Sequence, residues 1–448
     1  MTAVRFLHTG DLHLDSPFTG LSASAPEHVA AALRDATIGA WRAIVELAVE
    51  ERLDFVLVAG DVFDRGEWSL RAQVGFRDGL VRLSEAGIPT LVVAGNHDPL
   101  PSWERAIRIS WPPLAHLFGA DEVAAKSIRR AADGSGARLA GQDDGSGPGS
   151  EIARVHGISF GRGDVGENLA RRFRREPGEQ LAIGLLHANV GSNTGHEPYA
   201  PCSVEDLRRS GMDYWALGHV HRRGVVSSSD PVAVYAGNPQ GRDPNESDPR
   251  GCYLVTASPD GSVATEFRPV DVVRWQHLRV DASDLDGVEP LIERVVAAVD
   301  AARVGAGRSI VARVEVTGRG PIHSDLARAG VPGEIGAEAQ ARLGTGSPWA
   351  WIESVRDHTG SSIDVEARAG APDFLGEVLR EIRRVREGLA IPPEGQENAA
   401  RLAAALDELY GHGRARRHLG SGGTDAECLM AGLDEAERLL LDRLEPAS

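Results

Sequence analysis

Three short apolar runs each lead directly into a polar block, and this pattern restricts the fold more than any other feature of the chain. The runs cover residues 4–8, 55–59 and 90–94, and the blocks after them are TGDLHLD, GDVFD and GNHD. Apolar residues at helical spacing separate the first two runs. Strands that alternate with helices predict βαβ units, in which functional sites form at the carboxyl ends of the strands.

Further apolar segments predict a second sheet within residues 1–270. The chain has 448 residues, which is too long for one ordinary core. Strand-like segments return at residues 152–160, 181–187, 214–217 and 232–236. We therefore expect an α/β fold with a four-layer α/β/β/α sandwich over residues 1–270, and hairpin turns or an exposed loop within it at 131–150.

The sequence pattern changes after residue 271. Strands are expected at 274–280, 309–317 and 349–356 and a helix at 288–302, which together predict a small α+β capping domain over 271–370. Region 371–448 is predicted to be helical, with helices at 373–389, 397–410 and 426–444.

The polar blocks hold side chains that bind metal ions. Asp11 and His13 are two residues apart on chain that we expect to be extended, so both could point to one side. The complete set of candidate ligands is Asp11, His13, Asp61, Asn96, His187, His219 and His221. Oxygen and nitrogen ligands without thiolates suit Mn²⁺ or Fe²⁺. Each residue alone could be a helix cap or a core histidine, but five such blocks in order favour a metal site.

The ordered blocks D-x-H, G-D-x-x-D, G-N-H-D, H and G-H-x-H resemble those of the calcineurin-like metallophosphoesterases. The resemblance implies two divalent ions, most simply Mn²⁺, with a hydroxide between them that attacks phosphorus. It also implies one ion held by Asp11, His13, Asp61 and His221, and a second held by Asp61, Asn96, His187 and His219. His97 would be the acid or oxyanion stabiliser, oriented by Asp98.

The sequence segments around the candidate ligands are similar to those of the SbcD-like DNA-repair exonucleases, and within that group to those of a YhaO-like bacterial branch. They include DLHLDSPFTGL, DYWALGHVH and YAGNPQGR. The resemblance implies a metal-dependent DNA phosphodiesterase, an exonuclease for which endonuclease activity is also open. It implies an SbcC-like coiled-coil ATPase docked on the terminal helices, and a homodimer.

Three other functions stay open at this point. GDVFDRG is similar to the GDxxDRG of protein Ser/Thr phosphatases, and a small-molecule phosphodiesterase could carry the same ligands. The third alternative is a binding subunit of an ATPase complex with little activity of its own.

Charge and hydropathy limit the partners. The net charge of −17 argues against coating of nucleic acid through a general basic field. Arg222, Arg223 and Arg242 could still contact a DNA backbone locally, while Asp64 either tunes exonuclease activity or is a turn or helix-cap residue. No long apolar run predicts a membrane span or a secretory signal, so we expect a cytoplasmic protein.

Overall fold

A computed structural model of the chain describes residues 3–16, 25–66, 68–105, 110–130, 136–139, 150–191, 197–390, 397–398, 400–402 and 426–444. Most of the predicted loop 131–150 and of the predicted helix 397–410 lies outside these residues. The chain divides into two compact units. The first comprises residues 1–276, 303–311 and 347–353, and the second comprises 277–302, 312–346 and 354–448. The three-domain division expected from the sequence stays a prediction.

The strands of the described chain are, in order, β1 (Val4–Thr9), β2 (Phe55–Ala59), β3 (Thr90–Val93), β4 (Ala115–Leu117), β5 (Ala124–Arg130), β6 (Ala137–Leu139), β7 (Ser150–Gly157), β8 (Ala182–His187), β9 (Tyr214–Gly218), β10 (Gly224–Ser228), β11 (Val232–Tyr235), β12 (Gly251–Ala257), β13 (Val263–Pro269), β14 (Val273–Asp281), β15 (Ser309–Arg319) and β16 (Ala350–Gly360).

The α-helices of the same residues are α1 (Glu27–Glu50), α2 (Leu70–Glu85), α3 (Leu100–Arg105), α4 (Val204–Arg209), α5 (Val288–Ala306), α6 (His323–Leu326), α7 (Val331–Leu343), α8 (Val365–Ala369), α9 (Phe374–Ala390) and α10 (Ala426–Leu444). A short 3₁₀ helix covers Leu169–Arg172.

Two sheets form the centre of the first unit. The first has the order β13-β12-β1-β2-β3-β4, in which β1 to β4 are parallel and β12 pairs antiparallel with both β1 and β13. The second has the order β10-β11-β9-β8-β7-β5-β6, and its four central strands, β11, β9, β8 and β7, are parallel. The parallel strands β1, β2 and β3 are those predicted from the apolar runs.

Side-chain alternation along the strands builds the layers. In β2, Phe55 and Leu57 face the second sheet, whereas Val56 and Val58 face the layer that contains Trp41 of α1. The outer face of the second sheet is covered by a third cluster, which includes Leu169, Phe173, Leu207 and Trp215. Helical elements therefore cover the outer face of each sheet, and the predicted four-layer α/β/β/α sandwich is confirmed.

The second unit combines helices with part of a three-stranded sheet of order β14-β15-β16. The predicted strands and the helices α5, α9 and α10 are present, but the sequence analysis did not predict α7. Helix α7 contains Pro332, Gly333 and Gly336, which obscure a helical pattern; Pro332 is compatible with a helix because it lies in the first turn. No helix in the described part of the chain is long and apolar enough to cross a membrane.

Candidate metal centre

The five polar blocks meet where strands from both sheets end. Asp11 and His13 follow β1, Asp61 follows β2 and Asn96 follows β3 of the first sheet. His187 ends β8 of the second sheet, and His219 and His221 follow β9. Because these strands are parallel within each sheet, their carboxyl ends lie at one edge, and the hydrogen bond from His187 Nδ1 to the Ala59 carbonyl (2.9 Å) joins the two edges.

Two buried carboxylates occupy the middle of this cluster. Asp11 and Asp61 are 0% and 1% exposed. Asp61 Oδ2 lies 3.5 Å from His187 Nε2 and 3.8 Å from His13 Nε2. The Asp11 carboxylate accepts the backbone N–H of His219 at 3.0 Å, and burial, the largest influence, raises the pKa of Asp11. A cation between these carboxylates would offset the cost of burying them.

Three histidines are each held by one ring nitrogen while the other faces the cluster. His187 Nδ1 bonds to a carbonyl, as stated above, and its Nε2 is 2.8 Å from Asn96 Oδ1. His219 Nε2 donates to the Glu197 carbonyl at 2.8 Å, which leaves Nδ1 at 3.2 Å from Asn96 Oδ1. His221 Nδ1 pairs with a Glu246 carboxylate oxygen at 2.6 Å, and its Nε2 faces His13. Such outer hydrogen bonds fix the tautomer that metal-binding histidines need.

The backbone of the site is not extended, which corrects the expectation for Asp11 and His13. Their φ angles are 50° and 42°, and those of Asp61 and His219 are 49° and 103°. The cause is long-range pairing, since the N–H of Asp11 donates to the Gly60 carbonyl and that of His13 donates to the Asp61 carbonyl. Non-glycine residues rarely adopt positive φ, and such strain is concentrated at functional sites.

Two glycines allow the blocks to approach one another. A Cβ on Gly218 would lie 1.9 Å from the Ala59 carbonyl oxygen, where β9 meets β2. A Cβ on Gly95 would lie 2.2 Å from Asp61 Oδ1. Any larger residue at either position would displace the site, so the glycines of GNHD and GHVH are required by close packing.

His97 is paired with Asp64, not with Asp98, which corrects the expected orienting role. His97 Nδ1 is 2.6 Å from Asp64 Oδ1, and Arg242 Nη1 donates to Asp64 Oδ2 at 3.1 Å and to Ser16 Oγ at 2.9 Å. Burial alone would raise the pKa of Asp64. The hydrogen bond from His97 and the nearby charge of Arg242 outweigh burial, so the pKa lies below its usual value. Asp64 is thus an ionised partner for His97.

Asp98 is instead a fully buried carboxylate that shapes the loops. It accepts backbone N–H groups from Val62 (2.8 Å), Phe63 (3.4 Å) and Gly95 (2.7 Å). Its side chain ties the GDVFD block to the GNHD block. Asp98 does not orient His97 because its carboxylate oxygens already accept three backbone N–H groups.

Glu246 is a site residue that the sequence analysis missed. Besides His221, its carboxylate accepts Asn238 Nδ2 at 2.8 Å and the Arg242 backbone N–H at 2.7 Å. Burial alone would raise the pKa of Glu246, but the hydrogen bond with His221 and neighbouring charges lower it to about 2. Its position in GRDPNESD, among other acidic residues, gave no signal that could have singled it out.

Comparison with known proteins identifies the family of this chain. A model of the calcineurin-like phosphoesterases matches residues 4–223, and a model of the middle domain of metallophosphoesterase YhaO matches residues 275–360. The uncharacterized metallophosphoesterase YhaO of Bacillus subtilis (strain 168) is 32% identical over 409 residues, which cover 90% of this chain and 94% of the relative. The chain belongs to the calcineurin-like metallophosphoesterases.

Other relatives of this metallophosphoesterase match shorter stretches. The DNA double-strand break repair protein Mre11 of Sulfurisphaera tokodaii is 25% identical over 241 residues, 53% of this chain and 54% of the relative. The SbcD subunit of the nuclease SbcCD of Escherichia coli (strain K12) is 38% identical over 95 residues, 21% of each chain. The chain thus spans about half of the first and about a fifth of the second.

Membership in the metallophosphoesterases implies a dinuclear divalent metal site, and the residues present fit one. Three overlapping groups place their ligand atoms within 4.8 Å of one another: Asp11, His13 and His221; His13, Asp61 and His97; Asp11, Asp61 and His187. The donors of these groups are carboxylates and imidazoles, and the Asn96 amide oxygen lies 2.8 Å from His187 Nε2; such donors suit divalent ions of the first transition row. Arg222 is exposed and lies beside His221, whereas Arg242 reaches Asp64.

Proposed function

We propose that this metallophosphoesterase hydrolyses phosphodiester bonds in DNA with two divalent ions, Mn²⁺ being the first choice and Fe²⁺ the alternative. The observation that carries the proposal is the convergence of seven buried or partly buried candidate ligands, with oxygen and nitrogen donors, at one edge of two sheets. The names of the Mre11 and SbcD relatives support DNA as the substrate.

The proposed division of ligands follows the distances. Asp11, His13 and His221 form one close group, and Asp61 lies 3.8 Å from His13. Asn96, His187 and His219 surround the other side, where Asn96 Oδ1 lies within 3.2 Å of both imidazoles. We assign Asp61 as the residue shared by both ions, because its carboxylate faces both groups.

Two divalent ions at this site would supply Lewis acidity and a nucleophilic water of lowered pKa. The carboxylates of Asp11 and Asp61 cancel only part of the charge of two such ions. The loaded site would therefore attract an anionic phosphodiester although the chain has a net charge of −17.

His97 is the proposed proton donor to the leaving oxygen. Its Nδ1–H donates to Asp64 Oδ1, so Nε2 is left as the atom that exchanges the proton with substrate. Asp64 holds the ring in this orientation and stabilises its protonated form. Arg242, whose Nη1 also donates to Ser16 Oγ, in turn positions Asp64. General acid catalysis of this kind contributes about 10²- to 10⁴-fold in rate.

The test uses purified Mn²⁺-loaded protein with linear duplex DNA, single-stranded DNA and a phosphopeptide. We expect DNA cleavage that EDTA abolishes. His97→Ala should retain its bound metal and cleave about 10²- to 10⁴-fold more slowly, whereas His28→Ala, at an exposed histidine, serves as the matched control. Phosphopeptide turnover without DNA cleavage would exclude the nuclease and favour the phosphatase alternative.

Two partner hypotheses accompany this function. The Escherichia coli relative is named as a subunit of a nuclease, which supports a complex of this chain with an SbcC-like ATPase. Homodimerisation and endonuclease activity stay predictions.

A further inference from the structure

A cavity of about 190 Å³ is lined in part by His221, which is also a candidate ligand of the metal centre. Three arginines line it: Arg222, Arg223 and Arg250. The other walls include Asp248 and Phe267. Every lining residue belongs to the first unit.

The three guanidinium groups are not neutralised by ion pairs. Among the described residues, no carboxylate oxygen lies within 4.0 Å of a nitrogen of any of the three, although Asp248 lines the same cavity. The carboxylates of Glu246, Asp248 and Asp243 act on Arg250 from a distance and do not contact its guanidinium. No carboxylate therefore occupies the N–H donors of the three arginines, and these donors suit an anion that contacts them directly.

Neutral acceptors hold Arg250 in place. Its Nη1 donates to the His221 carbonyl at 2.6 Å and to Asn238 Oδ1 at 2.7 Å, and its Nε donates to the Ser247 carbonyl at 3.1 Å. Burial, the largest influence, lowers the pKa of Arg250. Holding a guanidinium through neutral acceptors fixes its orientation and leaves it without a contacting carboxylate.

The shape of the cavity favours a phosphate over a nucleobase. The guanidinium carbon of Arg223 lies 4.0 Å from the centroid of the Phe267 ring, so the face that a base would stack on is already covered. The planar N–H donors of arginine match the oxygens of a phosphate. The available volume suits a phosphate group with part of a sugar.

We propose that this cavity is a subsite for a second phosphate group of the substrate, on the nucleotide chain whose scissile phosphodiester occupies the metal centre. The proposal rests on the proposed function. Because His221 borders both sites, a bound chain would place consecutive phosphates in adjoining positions. The enzyme would then prefer phosphodiesters that carry a further phosphate to isolated diesters.

The test compares p-nitrophenyl diesters of thymidine that share one scissile bond and leaving group. For the 5′-linked and the 3′-linked diester, one form carries a phosphate on the other hydroxyl and one does not. We expect the extra phosphate to lower KM about tenfold in at least one isomer with little change in kcat, the size of a charge-assisted contact. Arg223→Gln should remove most of that advantage, and Arg222→Gln is a second, exposed variant of the same cavity.

Arg209→Gln, which removes one exposed charge from α4, is the matched control and should keep the advantage. The inference is overturned if neither isomer gains from the extra phosphate, or if Arg209→Gln has the same effect as Arg223→Gln. Failure of the proposed function gives a different result, because neither diester would then be hydrolysed. In that case calorimetry with thymidine 3′,5′-bisphosphate and Mn²⁺-loaded protein still tests the cavity: Arg223→Gln must weaken binding several-fold, and equal affinities would refute it.

Discussion

At the residue scale, the outer partners of the histidines distinguish one candidate ligand from the others. His187 and His219 donate to backbone carbonyls, whereas His221 pairs with the carboxylate of Glu246. A carboxylate makes the imidazole a stronger donor to a cation than a carbonyl does. Glu246 also accepts the Arg242 backbone N–H, so it links His221 to the loop that positions Asp64.

Replacing Glu246 by Gln should therefore weaken metal binding without unfolding the protein. The amide keeps the shape of the carboxylate but removes its charge, and loss of such an outer partner costs about 10- to 100-fold in metal affinity. Calorimetric titration of the metal-free protein with Mn²⁺ measures the effect. Glu266→Gln, at a carboxylate that is 66% exposed, is the matched control. Equal affinity in the two variants would mean that Glu246 has only a structural role.

At the scale of elements, the terminal helix α10 is part of the core of the second unit. Leu441 is fully buried and packs in a cluster with Leu375 and Leu379 of α9 and with Ala369 of α8. Arg386 of α9 also contacts Asp434 and Glu437 of α10. Deleting the helical tail to test ATPase docking would expose this cluster, so a loss of association would not by itself identify a docking surface.

Substitutions along α10 should separate its core face from its exposed face. Leu441→Ala should lower the free energy of unfolding by about 2–5 kcal/mol, because it leaves a cavity in the cluster. Leu439→Ala, at a side chain that is 39% exposed, should change it by less than about 0.5 kcal/mol. Urea denaturation measures both. Equal losses would contradict the packing described for α10. Because Leu439 lies outside the buried cluster, Leu439→Glu is a sharper probe of partner docking than deletion of the helix.

At the scale of the whole molecule, a buried histidine joins the two sheets of the first unit. His8 of β1 is fully buried; its Nε2–H donates to the Leu217 carbonyl at 3.2 Å, and its Nδ1 accepts the Tyr214 hydroxyl at 2.9 Å. Both partners lie in β9. Burial lowers the pKa of His8 to about 3, so the folded protein keeps this ring neutral.

This histidine should make the protein sensitive to acid. Its folded pKa lies below its unfolded value, so its stabilisation is complete above the unfolded pKa and is lost as the pH falls toward the folded pKa. Between about pH 7 and pH 5 the loss amounts to about 2 kcal/mol. His8→Gln can keep both hydrogen bonds but does not titrate, so its free energy of unfolding should fall by about 2 kcal/mol less over this range. Parallel pH profiles of the two proteins would contradict the assignment.

The sequence by itself determined the central parallel strands of the two sheets and the order of the candidate ligands along the chain, whereas the outer strands such as β12 and β13 were not predicted. Apolar runs such as 55–59 specify buried strands, because only a strand covered on both faces is apolar throughout. Polar residues at the ends of such runs lie at one edge of a parallel sheet, so the sequence alone groups Asp11, Asp61 and Asn96. These inferences depend on local pattern alone.

Only the tertiary structure decided which neighbours orient those ligands. The partners of His97 and His221 are 33 and 25 residues away in sequence, and they meet through loops whose paths depend on contacts between blocks. The left-handed backbone at Asp11 and His13 likewise results from hydrogen bonds to the chain after β2. The arginine cavity beside His221 brings together residues from four separate segments, and no periodicity or spacing encodes that meeting. These features depend on packing and hydrogen bonds between residues that are far apart in sequence, so a local sequence pattern does not predict them.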